Sequence, residues 1–352
     1  MKLKEFAIIN MGQSPKGETY NTVERGMPFL QGRKTFGRIY PSIDTWTTNP
    51  IKIANKSEIL MSVRAPVGDM NFANQEICIG RGLCSINAKN GRNKYLYYML
   101  LNSMNNIKQK STGTVFDSVN RNDLENLEFN FHSEKEQDKI ENILGNIDIK
   151  IELNNEINNN LHELEKNLYK EYFKDLDDTN TQKLGDLCKI KYGKGLPTTK
   201  IETEGYSVYG GNGIIGYYHE FMYEESQVLI SCRGAASGNV IVSKPHSFVT
   251  NNSLILECDR KYHHYLKQYS LDNYYYEYTT GSAQPQITID NIKDIALNIP
   301  SEELLDKFNK QMEPLENKYF SNLEEISKLE QLRDTLLPKL MNGEIDLDNI
   351  EI

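Results

Sequence analysis

Arginines and lysines set among glycines recur along this 352-residue chain. Arg33, Lys34 and Arg38 lie in Gln31-Gly32-Arg33-Lys34-Thr35-Phe36-Gly37-Arg38, and Arg81 lies in Gly80-Arg81-Gly82. Arg64 precedes Ala65-Pro66-Val67-Gly68, and Arg233 precedes Gly234-Ala235-Ala236-Ser237-Gly238. Glycine lets backbone approach a phosphate closely, and a guanidinium can grip that phosphate or fork onto the O6/N7 edge of guanine. Tyr209 and Asn212 in Tyr209-Gly210-Gly211-Asn212-Gly213, together with Asn251-Asn252, add a ring and carboxamides of the kind that pair with adenine. Plainer explanations stand beside these: a solvated turn for Arg33, an internal salt bridge for Arg64 or Arg233, and an ordinary Asn-Gly turn for Asn212. The chemistry on offer is nucleic-acid recognition.

Bond-making chemistry is harder to find. His263-His264, and Cys232 beside Arg233, have no third ligand or acidic partner at readable spacing, so neither a catalytic residue nor a metal site is expected. Five cysteines, at 78, 84, 188, 232 and 258, show no Cys-x-x-Cys spacing and read as free thiols of a reducing compartment. There is no Asn/Asp-Pro-Pro-aromatic tetrapeptide, no glycine-rich cofactor loop and no Gly-x-x-x-x-Gly-Lys-Ser/Thr, which argues against a methyltransferase or an ATPase on this chain. No run approaches the roughly 18 apolar residues of a membrane span, and the start has no basic-then-apolar signal, so a cytoplasmic protein is expected. With 38% hydrophobic and 25% charged residues, the composition is that of a folded globular chain.

A net charge of −9 argues against nucleic acid only if it is spread evenly. It is not: Lys and Arg minus Asp and Glu is +6 over residues 1–132, −7 over 133–181, −1 over 182–300 and −7 over 301–352. The first and third blocks suit phosphate, whereas the acidic second and fourth must face something else.

The same boundaries delimit an internal repeat. At an offset of 168, Thr112-Gly113 falls on Thr280-Gly281, Val119 on Ile287, Leu124 on Ile292, Leu127 on Ile295 and Phe129 on Leu297. Upstream, Leu60-x-Ser62-x-Arg64 falls on Leu229-x-Ser231-x-Arg233, and Leu3, Ile9 and Gly12 fall on Leu184, Ile190 and Gly193. One two-part module is written twice.

Blocks one and three, with short apolar runs broken by Gly and Asn turns, read as mostly β domains. Gln284 and Gln286, in the repeated closing segment, suit a structural role, and Tyr274-Tyr275-Tyr276 suits packing. Blocks two and four read as long amphipathic helices: Ile140, Leu144, Ile147, Ile151, Ile157, Leu161, Leu164 and Leu168 in one, Phe308, Met312, Leu315, Tyr319, Ile326, Leu329, Leu332 and Leu336 in the other. Ser133 with Glu136, and Ser301 with Glu302 and Glu303, are helix-start signals; Pro314 should kink the second helix, and Asn154 and Asn155 should face Asn322 across the seam. Two helices with apolar stripes should pair. Antiparallel pairing over about 40 residues, roughly 60 Å, would put the domains at opposite ends of a rod. The expected fold is α+β: two mixed, mostly β domains separated by two long antiparallel coiled-coil helices, with a pseudo-two-fold internal repeat.

In this order, the pattern resembles the specificity subunits of type I restriction-modification systems over the whole chain. The likeness rests on Ser133-x-x-Glu136-Gln137-x-x-Ile140 with Leu144 and Asp148, on Thr112-Gly113-Thr114 and Thr280-Gly281-Ser282-Ala283-Gln284-Pro285 closing the domains, and on Leu336-Leu337-Pro338-Lys339-Leu340-x-x-Gly343-Glu344-Ile345. Glu136-Gln137 becomes Leu304-Leu305 in the second copy. The resemblance implies a non-catalytic subunit with two target-recognition domains, 1–132 and 182–300, and two helical regions, 133–181 and 301–352. It would read a bipartite site in double-stranded DNA; if the domains sit about 35 Å or more apart, the half-sites should be separated by about one helical turn. It would dock two modification subunits, with Glu136, Gln137 and Asp148 as partner-binding residues, and restriction subunits through them. No cofactor is expected on this chain; AdoMet belongs on the modification subunits, which flip the target adenine, and ATP and Mg on the restriction subunits. Two rival readings are a two-headed scaffold for protein or glycan and an autonomous DNA methyltransferase.

Overall fold

The computed structural model describes residues 1–104, 118–176, 180–273, 275–281 and 284–347. Thr112-Gly113-Thr114 and Ser282-Ala283, to which the repeat drew attention, lie outside the described residues, as does Tyr274. The chain divides into two compact units, one of residues 1–151 and 327–352, the other of 152–326.

In the first unit a one-turn helix α1 (Leu3–Phe6) leads into β1 (Ala7–Met11). With β6 (Ile59–Ser62), β7 (Met70–Phe72) and β9 (Leu83–Ala88) it forms an antiparallel sheet in the order β1-β9-β6-β7. A second sheet, in the order β2-β4-β3-β8-β5, joins β2 (Tyr20–Asn21), β3 (Met27–Leu30), β4 (Trp46–Thr47), β5 (Ile53–Ala54) and β8 (Ile77–Ile79). Strand β6 reads as an unbroken apolar run because both its faces are covered. Ile59 and Met61 pack with Tyr95, Leu96 and Met99 of α2 (Asn93–Asn102), while Leu60 packs on the other side with Leu30, Ile77, Ile79 and Leu83. A short helix α3 (Arg121–Glu125) buries Leu124 and is closed by an Asn120–Asp123 capping box.

The second unit repeats the first sheet. Its strands are β11 (Cys188–Tyr192), β14 (Val228–Ser231), β15 (Val240–Val242) and β17 (Ser253–Cys258), in the order β11-β17-β14-β15. Central β14 is again covered on both faces, Val228 and Ile230 on one side and Leu229 with Tyr209, Val249 and Ile255 on the other. Around it lie a β10 (Thr181–Lys183)–β18 (Ala296–Asn298) pair and a sheet of β12 (Tyr206–Gly210), β13 (Gly213–Tyr218) and β16 (Phe248–Val249). The repeated leucines hold the same place: Leu3 and Leu184 are fully buried and donate their N–H groups to Leu127 and Ile295, each at 2.8 Å.

The long helices are α4 (Glu134–Phe173) and, after α5 (Leu184–Leu187), α6 (Arg260–Asp272) and α7 (Ile289–Ile292), α8 (Glu302–Met341). Ser133 and Glu136 form the expected capping box, 2.7 and 3.4 Å, and Ser301 Oγ accepts from Leu304 at 3.3 Å. Helix α8 continues through Pro314 to Met341 and is closed by a turn at Gly343 (φ +71°), with Glu344 N–H bonded to Lys339 O at 2.9 Å and Gly343 N–H to Leu340 O at 3.2 Å.

In each unit the two helices run antiparallel. Lys139 reaches the Leu347 carbonyl at 2.6 Å and Asp148 meets Arg333 at 3.1 Å in the first unit. Asn154 bonds Glu325 at 2.9 Å, Asn158 meets Asn322 at 2.8 Å, and Tyr172 accepts from Gln311 at 2.7 Å in the second. The partner of Asn322 is thus Asn158, not Asn154 or Asn155. Ile140, Leu144 and Ile151 are buried as expected, but Ile157, Leu164 and Leu332 are exposed. The seam keeps its 3-and-4 spacing through Asn154, Asn158 and Glu165, which are buried, so the nearby apolar residues fall outside it.

Candidate nucleic-acid interface

The glycine-rich segments come together because backbone hydrogen bonds tie one loop to the next. In the first unit Gln13 N–H donates to Ile79 O (2.9 Å), Gly80 N–H to Leu30 O (2.8 Å), Val63 N–H to Gly82 O (2.9 Å), and Val119 N–H to Val63 O (2.9 Å). In the second, Lys194 donates to Val249 O (2.9 Å), Thr250 to Tyr209 O (2.9 Å), Cys232 to Asn252 O (3.0 Å), and Ile287 to Cys232 O (3.0 Å). These junctions correspond one for one. The repeated glycines explain themselves here: a methyl on Gly12 would sit 2.2 Å from Gly80 O, and one on Gly193 2.2 Å from Thr250 O.

The rim so formed in the first unit carries Gln31, Arg33, Arg64 and Arg81, all exposed. The rim of the second carries Lys194, Asn212, Arg233 and Asn252, exposed, with Asn251 half-buried. Both arginines that follow the central strand are fixed by backbone bridges to the closing segment, Arg64 to Ser118 and Arg233 to Gln286. Gln286 also exchanges two backbone bonds of 2.9 Å with Thr280, consistent with a structural role. Arg33 pairs with Asp69, and Lys34 follows it in the one-turn helix Arg33–Thr35. A cleft of about 570 Å³ opens beside them, lined by Asn71, Phe36 and Tyr97. Buried Asn71 holds the loop by accepting from Gly37 N–H at 3.0 Å and donating to Gly37 O at 2.9 Å.

Two expected residues are elsewhere. Arg38 is turned to the helical acids Asp148 (3.7 Å) and Glu330 (4.0 Å). Tyr209 is a core residue, 4% exposed; its hydroxyl accepts from Lys244 N–H at 2.9 Å, and burial pushes its pKa up to about 12. Its ring packs in one buried cluster with Leu229, Val249 and Ile255. Gln31, Ser14 and Lys194 are rim residues that were not singled out, since only the junctions reveal which loops meet.

Glu136, Gln137 and Asp148 are engaged within the first unit. Glu136 closes the capping box; Gln137, 4% exposed, accepts from Asn90 (3.1 Å) and donates to His132 O (2.8 Å). Asp148 accepts from Tyr98 at 2.6 Å besides pairing with Arg333.

His263 and His264 do meet an acid in space, Glu316 of α8, at 3.5 and 4.0 Å. That carboxylate is already balanced by Lys267 at 3.2 Å and Arg260 at 2.9 Å, and Lys267 also bonds Glu165 at 3.0 Å. Burial pushes His264 down to about 3 and lowers His263, so both rings are neutral. Burial alone would raise Glu316, but the His263 hydrogen bond and the Lys267 charge outweigh it and hold the carboxyl far below its ordinary range. The arrangement is a charge-balanced clasp between α6, α4 and α8.

The module is written twice, and each copy ends its central strand in an exposed arginine on a rim of glycine-rich loops. The family of the type I restriction modification DNA specificity domain matches residues 1–163 and again 177–331, and the chain belongs to that family. The type I restriction enzyme MjaIX specificity subunit of Methanocaldococcus jannaschii is 25% identical over 349 residues, 85% of this chain and 80% of that one. The MjaX specificity subunit of the same organism is 41% identical over 147 residues, 41% of this chain; the match spans only 34% of that relative's length. A crystal structure of the type I restriction-modification S subunit from Mycoplasma genitalium has the same fold, with a TM-score of 0.65 at 21% identity over 97% of this chain and 95% of that one. As a specificity subunit the chain serves DNA sequence recognition without catalysis of its own. Among the described residues, no helix is long and apolar enough to cross a membrane.

Proposed function

We propose that this chain reads a bipartite site in double-stranded DNA, one half-site by each loop rim, for a type I restriction-modification complex. The observation that supports this most is the matched set of loop junctions, which brings Arg64 and Arg81 together in one unit and Arg233, Asn251 and Asn252 in the other. Arg33, Lys34, Arg64, Arg81 and Arg233 take phosphates or guanine edges, and Asn212, Asn251 and Asn252 offer amides to bases. Arg38 and Tyr209 support their loops from behind.

Residues 1–132 and 182–300 are the reading domains in this account, and the helices of 133–181 and 301–352 set the unread spacer. Two modification subunits dock on the acidic helical regions, where Leu153, Ile157 and Leu164 leave apolar side chains exposed on α4. Glu136, Gln137 and Asp148 shape that surface by fixing the helix against its own domain. Restriction subunits join through the modification subunits. AdoMet sits on the modification subunits, ATP and Mg on the restriction subunits, and none on this chain. The complex works in the cytoplasm, where its DNA is.

A salt titration of DNA binding by the assembled complex tests the reading. Each phosphate contact contributes about −0.9 to the slope of log K against log salt, so several rim cations predict a steep fall. A flat response would point to the rival protein- or glycan-binding scaffold. AdoMet crosslinking to the isolated chain would point to the rival methyltransferase.

A further inference from the structure

We infer that Gln31 is a base-reading residue whose carboxamide is held ready by Ser14. It rests on the reading of the first rim as a DNA surface. Gln31 is exposed at the junction of three loops, between Ser14 and Gly80-Arg81-Gly82, with Arg33 two residues on. The two glycines make its seat. A Cβ on Gly80 would lie 2.9 Å from both Gln31 Cα and Oε1, and one on Gly82 would lie 2.6 Å from Gln31 O.

The hydrogen bonds set which way the amide faces. Arg81 N–H donates to Ser14 Oγ at 3.2 Å and leaves the hydroxyl proton available to a second partner. The hydroxyl donates to Gln31 Oε1 at 2.9 Å. The carboxamide therefore turns its oxygen toward Ser14 and its NH2 toward solvent. An outward NH2 at a groove selects a base edge that presents an acceptor. Adenine fits best, because N7 takes one Nε2 proton while the second lone pair of Oε1 can take the N6 amino group. Cytosine presents its N4 amino group but no acceptor for the outward NH2, so it pairs less well.

The second unit does not repeat this device. The junction Gly80 N–H to Leu30 O corresponds to Thr250 N–H to Tyr209 O, so the position of Gln31 falls on Gly210, which has no side chain. The scaffold is shared and the reader is not, as expected of two domains that read different half-sites.

The test is to map modified adenines in DNA exposed to the complex carrying Gln31→Ala, Gln31→Glu, Ser14→Ala or Arg81→Glu. Gln31→Ala should make one position of one half-site degenerate, with discrimination there falling by about 5- to 150-fold and the other half-site and spacer unchanged. Gln31→Glu, which replaces a donor by an acceptor, should turn the preference at that position toward a base presenting an amino group. Ser14→Ala should broaden it. An unaltered recognition sequence in Gln31→Ala and Gln31→Glu, with Arg81→Glu abolishing modification, would overturn the role of Gln31 alone. An unaltered sequence and unaltered modification in all four would overturn the reading of this rim as a DNA surface. Equal loss at every site in Gln31→Ala, restored by Gln31→Glu with the original sequence, would make Gln31 a loop brace and overturn the inference.

Discussion

Val63 is bonded through its N–H to the carbonyl of Gly82 at 2.9 Å, and that bond carries Arg64 to the rim beside Arg81. Cys232 and Asn252 do the same for Arg233 at 3.0 Å. The loops are placed by backbone, so their side chains can vary without moving the rim.

Backbone placement makes the repeated glycines the sensitive points. Gly12→Ala or Gly193→Ala puts a methyl against a carbonyl that belongs to another loop. Each should cost about 1 to 3 kcal/mol, the usual range for overpacking, seen as a lower melting temperature. Gly17→Ala, with open space around it, is the control and should melt as the parent does.

Arg33 spends its charge on Asp69 in the free chain, and both side chains are partly exposed. Such a pair is worth about 0 to 1 kcal/mol, so Asp69→Asn should change stability by no more than that. Freeing the guanidinium should tighten DNA binding and steepen the salt slope by up to about 0.9. A titration at two salt concentrations would show it; weaker binding at low salt would mean that the pair itself holds the active loop.

The clasp in the second unit behaves differently because it is buried. Lys267→Met leaves Glu165 and Glu316 without the ammonium between them and should destabilise by about 3 to 5 kcal/mol. Adding Glu165→Gln and Glu316→Gln should recover much of that loss, since the uncompensated charge is then gone. Denaturant unfolding of the single and triple variants measures both.

The same clasp gives a pH dependence. His264 takes up a proton near pH 6.5 when unfolded, but stays neutral to about 3 when folded. Between those values the unfolded state binds more protons, so stability falls as pH drops through 6.5, by at most about 1.4 kcal/mol per unit, and this loss ends near 3. Glu316, held low, adds a loss in the same sense below its unfolded pKa. His264→Gln should flatten the melting-temperature curve between pH 6.5 and 4; an unchanged curve would remove His264 from the cause.

The duplication was legible because repeated residues do repeated jobs: Leu3 and Leu184 plug the same pocket, and Gly12 and Gly193 admit the same close approach. The helices were legible from spacing and caps, and so were the ends of their inner faces, where Ile140, Leu144, Ile151, Phe308 and Met312 are buried as expected, but not the middle of α4. Polar Asn154, Asn158 and Glu165 occupy the seam, and Ile157 and Leu164 are left outside, because the phase is set by tertiary pairing. Tyr209 misled because an aromatic beside Gly-Gly-Asn-Gly looks like a loop residue until the fold pairs it with Val249 of the two-residue strand β16 and packs it with Leu229 and Ile255. Glu316 was invisible as a partner of His263, since the two lie more than 50 residues apart on helices that meet only in the fold.

Hydroxyl-radical footprinting of the complex with Arg64→Glu and with Arg233→Glu tests the two-reader claim most directly. Two protected patches flanking an open gap are predicted for the parent. Arg64→Glu should clear one patch and Arg233→Glu the other, with the gap unchanged. A single contiguous patch, or the same patch lost in both variants, would contradict it.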